Sequence, residues 1–403
     1  MAKNNKVVFY PNDPVPREFF VGRKEEIYTL VEYGLSPALE GHPQAMFITG
    51  EAGMGKSSLA TYVKSLAEEK DQVYGVYASL AGAATLPEVS RSISRAVESA
   101  STVNRAPGHA ADPALPINRT AGSLLTATHV SVRQDSSAGA IETATHVDLL
   151  SFLKKLRATL FSGRTRAILL ILDEIDTMTP NRLFAPFIKG LVDTNAVDSD
   201  KVPLLLLLCG VRRCWQEMLK AHQSIERVLD PIEICPMSFA EAVEFYRHAF
   251  AVANMEISTD AIRVFHASSG GVPRIMHLVG EKAYRADKDR VISEHDAQMA
   301  ILQAAEDYGQ RFIREKIFDM LRTRDDRAIV LRLGRLDRAV PRFLIGDLAS
   351  GMSSTELGRL EHVLDDLVRL EILRPGESRD EFEFGIPLVQ LYFWLVATNN
   401  LRL

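Results

Sequence analysis

Residues 46–60 read Met46-Phe-Ile-Thr-Gly-Glu-Ala-Gly-Met-Gly-Lys-Ser-Ser-Leu-Ala60. Three apolar residues predict a short buried strand. Gly50–Ser57 then matches G-x-x-x-x-G-K-[ST], and residues 58–66 continue as a helix with Leu59, Val63 and Leu66 on its apolar face. Strand, glycine loop and helix follow in the order a phosphate cradle requires. Glycines at 50, 53 and 55 let the backbone turn tightly and bring its N–H groups to phosphate oxygens. The helix start adds partial positive charge. On this reading Gly50, Glu51, Ala52, Gly53, Met54, Gly55, Lys56, Ser57 and Ser58 surround the phosphates of ATP. Lys56 reaches the β- and γ-phosphates, and the Ser57 hydroxyl ligates Mg2+. At average residue usage the pattern arises by chance in roughly one in a hundred chains of this length.

Working outward, residues 167–176 read Ala167-Ile-Leu-Leu-Ile-Leu-Asp-Glu-Ile-Asp176. Six apolar residues without alternation predict a strand buried on both faces, as in a parallel sheet. It ends in Asp173 and Glu174, at the carboxyl edge where ligands of α/β proteins sit. Asp173 is expected to hold Mg2+ through its water shell, and Glu174 to orient and deprotonate the attacking water. The fold class expected is therefore α/β, a P-loop NTPase parallel sheet. A carboxylate poised on water points to hydrolysis rather than transfer to another acceptor. Asp176 is expected to be structural.

Composition agrees with a globular protein of more than one domain, since the chain has 403 residues, 46% apolar and 25% charged. No apolar run approaches the roughly 20 residues that a membrane-spanning helix needs. Met1–Tyr10 has two lysines but no apolar signal core, so a cytoplasmic location is expected. Cys209, Cys214 and Cys235 lack metal-ligand spacing and are expected to be buried thiols in a reducing compartment. The formal net charge of −5 argues against non-specific coating of nucleic acid while leaving a local basic patch open.

The motifs resemble the AAA+ ATPases, and among them the branch of origin-recognition initiators and STAND-type regulatory ATPases. Five segments carry the resemblance: Phe20-Val-Gly-Arg-Lys-Glu-Glu-Ile27, the phosphate loop, Leu172-Asp-Glu-Ile-Asp176, Ser224-Ile-Glu-Arg-Val228 with the strand after it, and Gly270-Gly-Val-Pro-Arg-Ile275. The resemblance implies that Val21, Gly22 and Arg23 pack near adenine. It implies that Arg274 contacts the γ-phosphate from a helical lid, and that Arg227 acts on a neighbouring subunit's nucleotide. It spans about residues 17–305, with a winged-helix-like tail beyond. One departure is that the strand at 203–208 runs into Cys209-Gly210 where the family has a polar residue; Arg212 is the candidate substitute, and slow hydrolysis is implied.

The organisation expected is a linker at 1–16, an ATPase core at 17–235, a helical lid at 236–305 and a winged-helix-like C-terminal domain at 306–403. Residues 98–146, rich in Ala, Ser, Thr, Gly and Pro, read as a flexible insertion, after which a helix resumes with Val147, Leu150, Leu153 and Leu156 on one face. The last core strand is placed at 232–235. Ser238 with Glu241 makes a capping-box pattern. Phe382 and Phe384 opposite Ile372 predict a hairpin, preceded by a helix over 355–370. That helix carries Glu356, Glu361, Asp365 and Asp366 against Arg359 and Arg369, a poor match to DNA. Seven arginines lie between 322 and 342, interrupted by Asp325, Asp326 and Asp337.

Three functions remain open on the sequence. One is a regulatory ATPase whose nucleotide state controls oligomerisation and engagement of a partner protein. Another is an ATP-dependent initiator or loader gripping DNA through a winged helix. The third is a nucleotide-dependent scaffold with negligible hydrolysis.

Overall fold

A computed structural model describes residues 7–70, 72–103, 145–160, 165–318, 320–336 and 342–398. The chain divides into two compact units, Pro14–Cys235 and Met1–Asp13 with Pro236–Leu403.

The first unit is built on five parallel strands: β1 (Gln44–Thr49), β2 (Val73–Ser79), β3 (Ala167–Asp173), β4 (Leu204–Gly210) and β5 (Asp230–Glu233). Their spatial order is β2-β3-β4-β1-β5. Every residue of β3 and β4 is buried. That is why these stretches carry unbroken Leu and Ile instead of an alternating pattern. Helices Lys56–Lys70, Leu86–Val103, His146–Leu160, Phe184–Val197 and Arg212–Ala221 accompany the strands. Because β4 alone separates β3 from β1, the acidic end of β3 and the loop after β1 share one sheet edge.

Several boundaries differ from expectation. The last strand runs Asp230–Glu233 rather than 232–235, since its register is set by pairing of Met46–Thr49 with Asp230–Glu233. In the first helix after the phosphate loop the buried positions are Ser58, Leu59, Ala60, Val63 and Ala67, so Ala67 takes the place expected for Leu66. The helix Leu86–Val103 continues through the residues where the insertion was expected to begin, and 104–144 lie outside the described residues. In His146–Leu160 the core face is Leu149, Leu150, Phe152, Leu153, Leu156 and Leu160, while Val147 is exposed. Burial of Leu149, Phe152 and Leu160 rotates the apolar face away from Val147.

The second unit is mainly helical. Phe239–Val252 starts at a complete capping box of Ser238 and Glu241, as expected. Helices Thr259–Ser269, Pro273–Ala286 and Glu294–Tyr308 follow, with a two-stranded parallel pair, β6 (Glu256–Ile257) and β7 (Val291–Ile292). The N-terminal strap belongs to this unit. Phe9 packs edge-on against Phe245 and Phe250, and the main-chain N–H of Tyr10 donates to His277 Nδ1 at 3.2 Å. Gly280 permits that approach, because a Cβ there would lie 2.4 Å from the Phe9 ring. The residues expected as a linker, 1–16, thus divide between the two units.

Beyond Arg324–Leu333, strands β8 (Arg342–Leu344), β9 (Leu373–Pro375) and β10 (Glu381–Phe384) form an antiparallel sheet in the order β8-β10-β9. The expected hairpin is present, with Leu373 rather than Ile372 opposite Phe384. Ser354–Arg369 precedes it, capped by Ser353 and Glu356. No helix among the described residues is long and apolar enough to cross a membrane.

Candidate functional site

The loop after β1 turns through two glycines in the left-handed region, Gly53 at φ 81° and Gly55 at φ 87°. A side chain at either would be strained. Gly50 serves a different need: a Cβ there would sit 2.7 Å from Ile234 Cγ1, so its bareness lets the chain beyond β5 close against the loop. Lys56 Nζ donates to the carbonyls of Gly50 and Glu51 at 2.9 and 3.0 Å. Burial lowers its pKa, opposed by the charges of Asp176 and Asp173. The ammonium therefore lies within the field of the acidic strand end.

The segment before the loop braces it. Arg23 is buried, adopts a left-handed conformation at φ 59°, and donates through Nη2 to the Met54 carbonyl at 3.1 Å. Its Nη1 pairs with Glu26 at 3.2 Å. Gly22, at φ 78°, supplies the bend before it. Phe20 stacks on Tyr62 at 4.4 Å between ring centroids. Ser58, grouped with the phosphate loop on sequence, is buried and its hydroxyl accepts from the Val15 N–H at 3.2 Å. That hydroxyl fastens the leading segment to the helix.

On β3, Asp173 is 2% exposed and Glu174 is exposed. Glu174 is left-handed at φ 57°, unusual for a residue with a Cβ, and its N–H donates to Asp173 Oδ1 at 2.8 Å. Two hydroxyls from β2 complete the cluster. Tyr77 donates to Asp173 Oδ2, and Ser79 donates to Glu174 Oε2. The Tyr77 pKa is raised by burial first and by the charge of Asp173 second, with nearby Ser57 opposing. The strand pairing places Ser79 beside Asp173 and Tyr77 beside Ile171. Neither β2 residue was singled out on sequence. The available signal was two hydroxyl residues at i and i+2 near the carboxyl end of a buried strand, which puts both on one face.

Cys209, at the end of the intervening strand, is fully buried, and its pKa rises chiefly through burial, with the Asp173 charge adding and Lys56 opposing. A thiol thus occupies the position between phosphate loop and acidic pair. Arg212 ion-pairs with Glu233 and so is committed to the end of β5. Asp176 has the structural role expected, accepting from the Val211 N–H and the Cys214 thiol, each at 3.2 Å. Cys209 and Cys214 are buried as expected, whereas Cys235 is exposed because it follows the strand rather than ending it.

Two further arginines were expected at the nucleotide. Arg227 is exposed at the end of the short helical turn Gln223–Arg227. Arg274 begins a helix of the second unit, with its guanidinium 4.4 Å above the Phe312 ring centroid, in a pocket that Lys282, Arg285 and Arg311 also line.

Residues 20–212 match the family described as AAA ATPase domain. No curated protein sequence matches the chain. Among solved structures, the Walker-type ATPase of Pyrococcus abyssi shares 16% identity at a TM-score of 0.58, over 96% of this chain and 99% of that one. The ORC2 protein of Aeropyrum pernix, solved in ADPNP–ADP complexes, shares 16% identity at a TM-score of 0.59, over 97% and 96%. At such identities the likeness is one of fold. The expected fold class holds: residues 20–212 carry an AAA ATPase domain, and the chain as a whole shares its fold with these two solved structures.

Proposed function

We propose that this protein binds and slowly hydrolyses MgATP, and that its nucleotide state controls oligomerisation and engagement of a partner protein. The supporting observation is convergence: Lys56, Ser57, Asp173 and Glu174, far apart in sequence, meet at one sheet edge with Asp173 buried among donors. The hard oxygen donors of Ser57 and Asp173 suit Mg2+. When bound, that ion neutralises charge on the phosphates. The N–H groups of Gly50–Ser57 cradle the phosphates, and Lys56 leaves its own loop carbonyls for phosphate oxygens. Glu174 accepts the proton of the attacking water, and Arg274 and Arg227 offset charge shifting on the phosphates. Val21, Gly22 and Arg23 lie at the base-binding end, where Arg23 holds the loop from behind. A thiol at Cys209 offers the water a weaker orienting group than an amide would, which favours slow turnover.

Residues 236–305 are read as the lid and 306–403 as a winged-helix-like domain. A protein partner suits that domain better than DNA. On the helix Ser354–Arg369, Arg359 is already bound to buried Asp326 and Arg369 to Asp366. The charge that remains on its surface, Glu361 and Asp365, is acidic.

The direct test is calorimetric titration of ATP into the wild-type chain and Lys56→Ala. Loss of a half-buried cation that is to neutralise the phosphates should abolish measurable binding. Unchanged affinity would remove the nucleotide from this loop.

A further inference from the structure

The Tyr77 hydroxyl lies near one group from each half of the site. It donates to Asp173 Oδ2, and Ser57 is close enough to favour its charged form. These are the two residues to which the proposed function gives the divalent cation. A cation held by Ser57 and Asp173 would lie between those two groups. The tyrosine oxygen bridges the same gap. Mg2+ and Mn2+ hold near-octahedral shells, and Mg2+ gives up water reluctantly. The hydroxyl therefore has to withdraw before the ion and its waters are seated.

We propose, resting on that reading of Ser57 and Asp173, that Tyr77 gates the cation site: its hydroxyl and the divalent ion compete for these two residues. The backbone supports a residue that can hold this place and leave it. Tyr77 sits two residues before the end of β2, half-buried, so its ring is anchored in the sheet while its tip reaches the edge. Asp173 gains from the contact because a carboxylate so enclosed needs donors, and here the Glu174 N–H serves one oxygen and Tyr77 the other. Removing the hydroxyl leaves Oδ2 a donor short and clears the gap. Both effects tighten the ion. A hydrogen bond to a charged group corresponds to about a tenfold change or more in an equilibrium constant.

The experiment titrates Mn2+ calorimetrically into the full chain saturated with ADPNP, comparing wild type with Tyr77→Phe. The gate predicts Mn2+ bound about tenfold more tightly by the variant, with a larger rise in melting temperature on adding Mn2+. General damage to the site would weaken the ion, so tightening is specific to competition. Equal or weaker Mn2+ affinity in Tyr77→Phe overturns the gate. Tyr77→Met, also without a donor, replaces the phenylalanine variant if that fails to fold. If wild type fails to bind ADPNP at saturating Mn2+, the nucleotide assignment itself falls. If it binds both and the variants match it, the gate alone falls.

Discussion

Glu174 carries two marks of a residue held for a purpose. It occupies the left-handed region despite having a side chain, which costs about 1–2 kcal/mol, and its carboxylate is tied to Ser79. Replacing Glu174 by Gln keeps size and shape but removes the proton acceptor. The variant should bind MgATP with near wild-type affinity while steady-state phosphate release falls by about 10²-fold or more. Ser79→Ala should move the opposite way and raise basal turnover a few-fold by freeing the carboxylate. Phosphate release at the wild-type rate from Glu174→Gln would take the residue out of the base role. The phosphate loop and acidic pair were legible in the sequence because each is a run of adjacent residues. Tyr77 and Ser79 were not, because their roles depend on β2 lying beside β3, although residues 80–166 separate the two strands in sequence. A one-residue slip in that pairing would turn both hydroxyls away.

At the scale of elements, buried strands read clearly and their ends did not. The apolar runs at 167–172 and 204–208 make β3 and β4 whatever their neighbours, but β5 is four residues long and starts where its partner β1 lets it. Its sequence, Asp-Pro-Ile-Glu, has a single buried residue, so local pattern could not place it. The strap at Val8 and Phe9 escaped notice for a related reason, since two apolar residues in a polar stretch show no period. What they pack against makes a testable element. His277 is buried in the cluster of Phe9 and Phe245, and its Nδ1 accepts from the Tyr10 N–H. Burial lowers its pKa from 6.5 to about 3. The unfolded chain therefore binds this proton at a pH where the folded one does not. The stability gained by keeping the ring neutral is fully present above pH 6.5 and is lost as pH falls toward 3. The expected slope is about 1.4 kcal/mol per pH unit from this group. In urea melts from about pH 7 down to about pH 4.5, His277→Phe should show a pH dependence smaller by about one proton than wild type. Parallel curves for the two proteins would mean that the imidazole is not kept neutral by the fold.

The whole molecule raises the question of whether one chain suffices for turnover. The cluster on the first unit brings together Lys56, Ser57, Asp173 and Glu174, to which the proposed function gives the phosphates, the cation and the water, but among the described residues it brings no arginine to the phosphate side of the loop; Arg23 braces the loop and Arg212 is paired with Glu233. Arg227 is exposed on the turn leading into β5, the strand at one edge of the sheet beside the loop-bearing β1. On the proposed reading this exposed cation serves a neighbouring chain's nucleotide, and an arginine supplied in trans is worth about 10³-fold or more in phosphoryl transfer. Arg227→Ala should bind ATP as wild type does and hydrolyse it poorly. Mixing it with Lys56→Ala should restore activity, because an intact Arg227 on one chain then serves an intact phosphate loop on another. Wild-type turnover per chain should rise with protein concentration over the range in which the chain self-associates. Turnover independent of concentration, with no rescue on mixing, would leave Arg227 a surface residue and make the enzyme a monomeric switch whose charge compensation comes from its own lid.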